Sequence, residues 1–407
     1  MKNKIYILIL LLLQSAISLS AVSLDTISFP DDDDANAIAD TLSVEKAPLF
    51  RVVYSQDIKS VKMKDGSTYV GELKGKRPHG KGKLVFENGN LYEGNFVKGK
   101  MSGEGIYRYS DGRSYSGEFL NGKKHGQGTF QYSDGRVYDG GWQADCRHGY
   151  GQMTYPNGDI YSGMWADDAR EGTGCYFYAD GSTYVGEWRS DIREGMGTFI
   201  WSDNSKYIGC WSDNKRNGKG SYYFVNKDLY KGEWKDDVRE GHGIYKFANG
   251  DYYEGGYSAG AWNGMGIYRS VSGAIYKGYF KDGERCGKGE MVFENGAVYD
   301  GDWLNNQPHG NGVYTWANGD VYNGEWQNGS MHGNGVLNLV NGTRYEGEFV
   351  DGFEHGEGVA TDKDGYIYEG IFFEGQRNGM FKIKDCDGNL VRECEYVMGQ
   401  LKQQPKK

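Results

Sequence analysis

Three sets of side chains in this 407-residue chain are of types that do chemistry, and all three recur at a fixed interval. His79, His125, His148, His309, His332 and His355 stand 23 residues apart or at multiples of 23. Imidazoles bind zinc at about 2 Å, but only when several ligands converge on one ion. Glu72, Glu118, Glu187, Glu233, Glu325 and Glu348 repeat at the same interval. Paired carboxylates roughly 5–10 Å apart perform acid–base chemistry. Gly-x-Gly steps such as Gly126-Gln127-Gly128 resemble fragments of phosphate-binding loops. They lack the following helix and the lysine that such loops require.

Recurrence argues against catalysis, because an active site occurs once and a structural position occurs in every unit. Ser102, Glu171, Asn217 and Cys286 replace the histidine elsewhere, so that position reads as a polar loop residue. The glutamates are expected on the face away from the aromatic residues, as a solvated ladder. The six cysteines fall at unrelated points of the repeat and are expected to be free thiols. The expectation is a protein that is not an enzyme, with no metal and no cofactor.

The elements that position these side chains follow from the interval. Tyrosine followed two residues later by glycine recurs every 23 residues from Tyr69 to Tyr368, fourteen times without insertion or deletion. Each unit is numbered from its tyrosine as position 0. Position 2 is always glycine, position 4 nearly always aromatic, position 11 always glycine, and positions 13 and 20 mostly glycine. Positions 15 and 17 are mostly aromatic, as in Tyr107 and Tyr109. Alternation at 0, 2, 4 and at 13, 15, 17 is strand periodicity. Asp-Gly or Asn-Gly at positions 19 and 20 signals a hairpin turn. A three-residue loop there keeps both aromatic rows on one face, which predicts a type I turn plus bulge with a left-handed residue at position 20. Glycines at positions 2 and 13 leave space beside the rings.

Tyr184-Val185-Gly186-Glu187-Trp188 and His125-Gly126-Gln127-Gly128 resemble the opening signature and the central glycine step of the MORN repeat family. The fold class expected is all-β: an elongated single-layer antiparallel meander of about 14 stacked 23-residue β-hairpin repeats, a twisted open ribbon with an aromatic groove. Lipid kinases and lysine methyltransferases also carry such repeats, but the resemblance places their chemistry in an appended domain. Here 322 of 407 residues are repeat. Asp362 and Asp385 stand where the last units should be aromatic, which reads as capping.

Lys2 and Lys4, an apolar run from Ile5 to Leu13, and small residues up to Ala21 form the grammar of a secretory signal peptide. The expected organisation is a signal peptide over 1–20 and an acidic, disordered linker over 21–60. The repeat array follows over 61–390, then a degenerate half-repeat and basic tail over 391–407. The first cysteine is Cys146, so no lipoprotein cysteine accompanies the signal, and an exported, periplasmic, envelope or secreted location is expected. The Asp31–Asp34 run reads as a solvated spacer rather than a calcium loop, which alternates ligands with spacers.

The formal net charge of −10 disfavours nucleic acid. The expected function is a non-enzymatic scaffold or protein-binding module, with partners that include a second copy of the chain. Its groove is assigned to Tyr138, Trp142, Tyr161, Trp165, Tyr184, Trp188, Tyr207, Trp211, Tyr230 and Trp234. Lys74, Lys76, Arg77, Lys81, Lys83, Lys98 and Lys100 form a basic run in the first two units, and an anionic phospholipid surface is the alternative partner. Glycan stacking on the groove rings is a third reading.

Overall fold

The computed structural model describes residues 59–402, and no helix occurs among them. The signal peptide, nearly all of the linker with its Asp31–Asp34 run, and the last five residues of the tail lie outside the described residues. The chain divides into two compact units, Met1–Lys215 and Arg216–Lys407.

The first unit opens with β1 (Lys59–Lys62), which pairs antiparallel with β2 (Thr68–Lys74). Two further strands, β3 (Arg77–Val85) and β4 (Leu91–Val97), set the pattern for the rest. β2 pairs with β3 through Tyr69–Leu84 and Gly71–Gly82, and β3 pairs with β4 through Gly82–Gly94 and Leu84–Tyr92. Glycine therefore faces glycine across successive strand boundaries. The second unit has the same antiparallel construction, from the Gly218–Trp234 pair to the Val397–Gln400 pair.

Two turns and a bulge build each repeat. At the expected turn, Phe86 N–H donates to the carbonyl of Asn90 at 2.9 Å, and Gly89 N–H donates to that of Phe86 at 3.0 Å. Gly89 has φ +82, as the three-residue loop requires. Asn204 and Lys227, the two replacements at position 20, hold the same conformation at φ +66 and +72.

The turn at positions 6 and 7 was not anticipated. Asn121 and Gly122 have φ +54 and +90, a type I′ pair. Gly122 N–H then donates to Met101 of the preceding repeat at 2.8 Å, which ties neighbours together.

Between these turns the ladder slips beside the position 11 glycine, as between Gly117 and Glu118 opposite His125. The slip adds a role to the position 3 glutamates. Glu118, Glu187, Glu233, Glu325 and Glu348 are exposed on the expected face, and the bulge strands an N–H that needs an acceptor. Glu118 accepts from Gln127 N–H at 2.9 Å, Glu187 from Met196 at 3.0 Å and Glu325 from Asn334 at 3.1 Å.

The core is a row of tyrosines laid on glycine. Tyr69, Tyr92, Tyr115 and their equivalents to Tyr322 are at most 1% exposed. A methyl group on Gly71 would lie 2.6 Å from the Tyr69 hydroxyl oxygen, and one on Gly82 would lie 2.6 Å from its Cζ. The glycines at positions 2 and 13 thus form a socket for the position 0 ring. Its hydroxyl donates to the position 3 carbonyl, as Tyr138 does to Gly141 at 2.9 Å. The edges of two position 4 rings close the socket: Trp142 and Trp165 lie 5.2 and 5.4 Å from Tyr138, at 88° and 82°. Each position 4 tryptophan N–H bridges to the repeat before it, Trp142 to the carbonyl of Gly128 at 2.9 Å.

Candidate protein-binding face

The rings assigned to the groove are core. Tyr138, Tyr161, Tyr184, Tyr207 and Tyr230 are fully buried. Trp142, Trp165, Trp188, Trp211 and Trp234 are only 3–6% exposed. The socket draws each tyrosine down onto the sheet, and a cation covers each tryptophan. Lys124 Nζ lies 4.1 Å from the Trp142 ring centroid, and the guanidinium carbons of Arg147, Arg170, Arg193 and Arg216 lie 4.1–4.6 Å from Trp165, Trp188, Trp211 and Trp234. These cations all occupy position 9.

Carboxylates of the following type I′ turn hold several of them. Arg147 Nε lies 3.0 Å from Asp168 Oδ1, Arg170 Nε 2.8 Å from Asp191 and Arg216 Nε 2.9 Å from Asp237. Hydrogen bonds and the charge of Arg147 outweigh burial and hold the Asp168 carboxyl below the usual carboxylate range. Arg193 meets Asn214 instead, and Arg239 meets the carbonyl of Gly260. These two guanidiniums therefore keep more of their charge for solvent or a ligand.

The accessible aromatic surface of this face is the row at positions 15 and 17. Within a repeat these rings touch at 4.5–4.6 Å between centroids in Tyr107–Tyr109, Phe130–Tyr132 and Tyr176–Tyr178. Across repeats they approach at 5.5–6.0 Å, as in Phe86–Tyr107, Tyr109–Phe130 and Tyr155–Tyr176. Most are half-buried, among them Tyr107, Tyr109, Tyr132, Tyr155, Tyr176 and Tyr178. The hydroxyls of Tyr109, Tyr132, Tyr155 and Tyr178 have no hydrogen-bond partner among the described residues. Burial pushes all four phenols up, so they remain O–H donors at neutral pH.

The signal for this row lay in the repeat itself, whose positions 15 and 17 are mostly aromatic. Strand parity assigns a face but not a depth, so it could not tell the floor from the surface. The position 9 cations were equally countable but were not singled out.

The basic run is distributed over one end of the first unit. Lys74 and Arg77 face each other across the first turn at positions 6 and 7, Lys76 lies in that turn, Lys98 in the next, and Lys100 just after it. Lys81 and Lys83 lie on the face opposite the aromatic rows, and Lys83 Nζ is 3.7 Å from Glu93. Lys74, Arg77, Lys81 and Lys100 are exposed and have no carboxylate partner among the described residues. The six histidines sit beside the bulges of six repeats, three in the first unit and three in the second. Nδ1 of His79 and of His332 is buried without a hydrogen-bond partner. All six cysteines are unbridged.

A repeating antiparallel hairpin array with a ring-filled glycine socket defines a class of repeat-built scaffold. The sequence pattern of the MORN repeat matches fourteen successive stretches between residues 69 and 380, and the chain belongs to that family. Such repeats are interaction modules, consistent with a protein-binding scaffold. No curated protein matches the chain.

Among solved structures it is similar to the TCP domain of SAS-4 of Drosophila melanogaster, solved in complex with a proline-rich motif of Ana2. That alignment has 17% identity, covers 38% of this chain and 85% of the other, and has a TM-score of 0.26. The TCP10 domain of Danio rerio CPAP aligns at 11% identity over 60% and 99% of the two chains, with a TM-score of 0.24. Virginiamycin B lyase of Staphylococcus aureus aligns at 15% over 78% and 94%, with a TM-score of 0.12. Scores this low carry nothing about the site.

Proposed function

We propose that this chain is a non-enzymatic scaffold of the cell envelope that binds an extended segment of a partner protein along its aromatic face. The observation that carries this reading is the row of half-buried rings at positions 15 and 17. It offers apolar contact together with the unpaired hydroxyls of Tyr109, Tyr132, Tyr155 and Tyr178. Aromatic residues with a polar tip are favoured anchors at protein interfaces. The envelope location rests on the first twenty residues, and cell fractionation with a reporter that is active only outside the cytoplasm tests it.

A photo-crosslinking side chain at Tyr109, Tyr132 or Tyr155 in the full chain tests the binding face. The expected result is one and the same protein captured from all three sites and not from Gln131, which is exposed on the other face. Equal capture from both faces would remove the reading.

A second reading is supported by the unpaired cations Lys74, Arg77, Lys81 and Lys100. They equip the first repeats to meet an anionic lipid surface, at about 1 kcal/mol for each well-placed cation. Lys81→Glu with Lys100→Glu is expected to abolish sedimentation with anionic vesicles at low salt and to leave capture at Tyr132 intact.

A further inference from the structure

The outer face, opposite the aromatic rows, changes character along the first unit. In each of the repeats beginning at Tyr69 and Tyr92, three of the residues at positions 1, 3, 12, 14 and 16 are charged. In the repeats beginning at Tyr161 and Tyr184, the only charged residue at those positions is Glu187. Its carboxylate is turned back onto Met196 N–H at 3.0 Å.

Much of the rest of this surface is apolar and open. Met164, Phe177, Met196 and Ile200 are 41, 37, 45 and 39% exposed. Val185 and Ile208 flank Thr198 in register between them, and Met196 faces Cys210 with its sulfur 3.6 Å from the thiol. Neighbouring strands thus carry a largely apolar surface, broken by Thr198 and Glu187 and bounded by Lys206 opposite Ile200, where the solubility of a lone sheet calls for more charge.

We propose that a second copy of this chain covers this surface, the two outer faces packing sheet on sheet. A single-layer sheet has one face free, and stable domains close such a face with a second layer. The patch spans five strands at about 4.8 Å and some 20 Å along them, roughly 500 Å² per copy. Two copies then bury about 1,000 Å², the lower bound for a specific interface. Flat, sparsely charged sheet faces interdigitate at about 10 Å with their strands nearly aligned, so the complement of this surface is another like it. Every copy presents one, and a two-fold pair closes on itself without leaving the patch exposed. This contact lies on the opposite face from the aromatic row and leaves that row free.

Sedimentation and light scattering of the full chain, across concentrations up to about 100 µM, test the proposal. The expected result is a dimer at the upper end. Met196→Lys with Ile200→Lys is expected to weaken dimerisation at least about tenfold, since each copy would bring two unpaired charges into the contact. Circular dichroism should stay unchanged, which separates lost association from lost folding. Lys81→Glu, on the charged part of the same face, should leave the dimer intact. A monomer at every concentration would overturn the proposal. So would a dimer indifferent to the double lysine variant, or patch-dependent binding to vesicles by a monomeric chain.

Discussion

The repeats beginning at Tyr345 and Tyr368 are neighbours in the second unit and solve one packing problem in opposite ways. Tyr345 is 2% exposed, donates its hydroxyl to Glu348 O at 3.0 Å, and lies between the edges of Phe349 and Phe372 at 5.1 and 4.9 Å. In the next repeat position 13 is Phe381 instead of glycine. The Phe381 ring, 1% exposed, covers Gly370 and lies between Phe372 and Tyr396 at 5.2 and 5.4 Å. Tyr368 is displaced outward, donating to Asp362 Oδ2 at 3.0 Å beneath the Arg377 guanidinium at 3.6 Å. The socket requires one ring, and either strand can supply it. Glycine at position 13 is therefore there for the tyrosine, not for the turn.

The largest test of this comparison is alkaline pH. Burial pushes the Tyr138 and Tyr345 phenols far above their ordinary range. A phenol whose folded pKa exceeds its unfolded value near 10 stabilises the fold fully below that value, and loses the effect as pH rises toward the folded one. The array is expected to unfold cooperatively above about pH 10, with the socket phenols ionising only as it does. Absorbance near 295 nm followed beside circular dichroism checks this; early ionisation without unfolding would break it.

Tyr138→Ala empties a socket and is expected to cost about 4 kcal/mol by urea unfolding, with Tyr368→Ala costing about 1. Gly151→Ala places a methyl 2.6 Å from Tyr138 Cε2 and is expected to cost about 2–3 kcal/mol. Phe381→Gly sharpens the contrast further. If Tyr368 drops into the vacated socket, the loss stays below about 1.5 kcal/mol; a loss of about 4 would mean that it cannot. The smallest effect is expected for Tyr138→Phe, about 1 kcal/mol for the hydrogen bond to Gly141, and near zero for Tyr368→Phe.

Much of the fold was legible because period and parity are properties of the chain. Strand alternation, the face shared by the aromatic rows, and the left-handed residue at position 20 all follow from spacing. The type I′ turn was visible in Asn121-Gly122, Asp282-Gly283 and Asn328-Gly329, but the hairpin signal at positions 19 and 20 had already accounted for the reversal. The bulge was not visible, because a slipped register shows only when two strands are paired. The acceptor role of the glutamates was hidden with it, since that role depends on the N–H that the slip releases.

The candidate site was less legible. Tyr138 and Trp142 were chosen for their size and regularity, the same properties that make them core. The half-buried row at positions 15 and 17, and the cations at position 9, are distinguished by depth alone.

The sequence by itself determined the repeat, its hairpin, its family and the face on which the rings lie. A 23-residue period without a gap admits one register, and a side-chain period of two admits one face. Only the tertiary structure decided which rings are floor and which are surface. That depends on the space two glycines leave when neighbouring strands pair, and no single strand contains it.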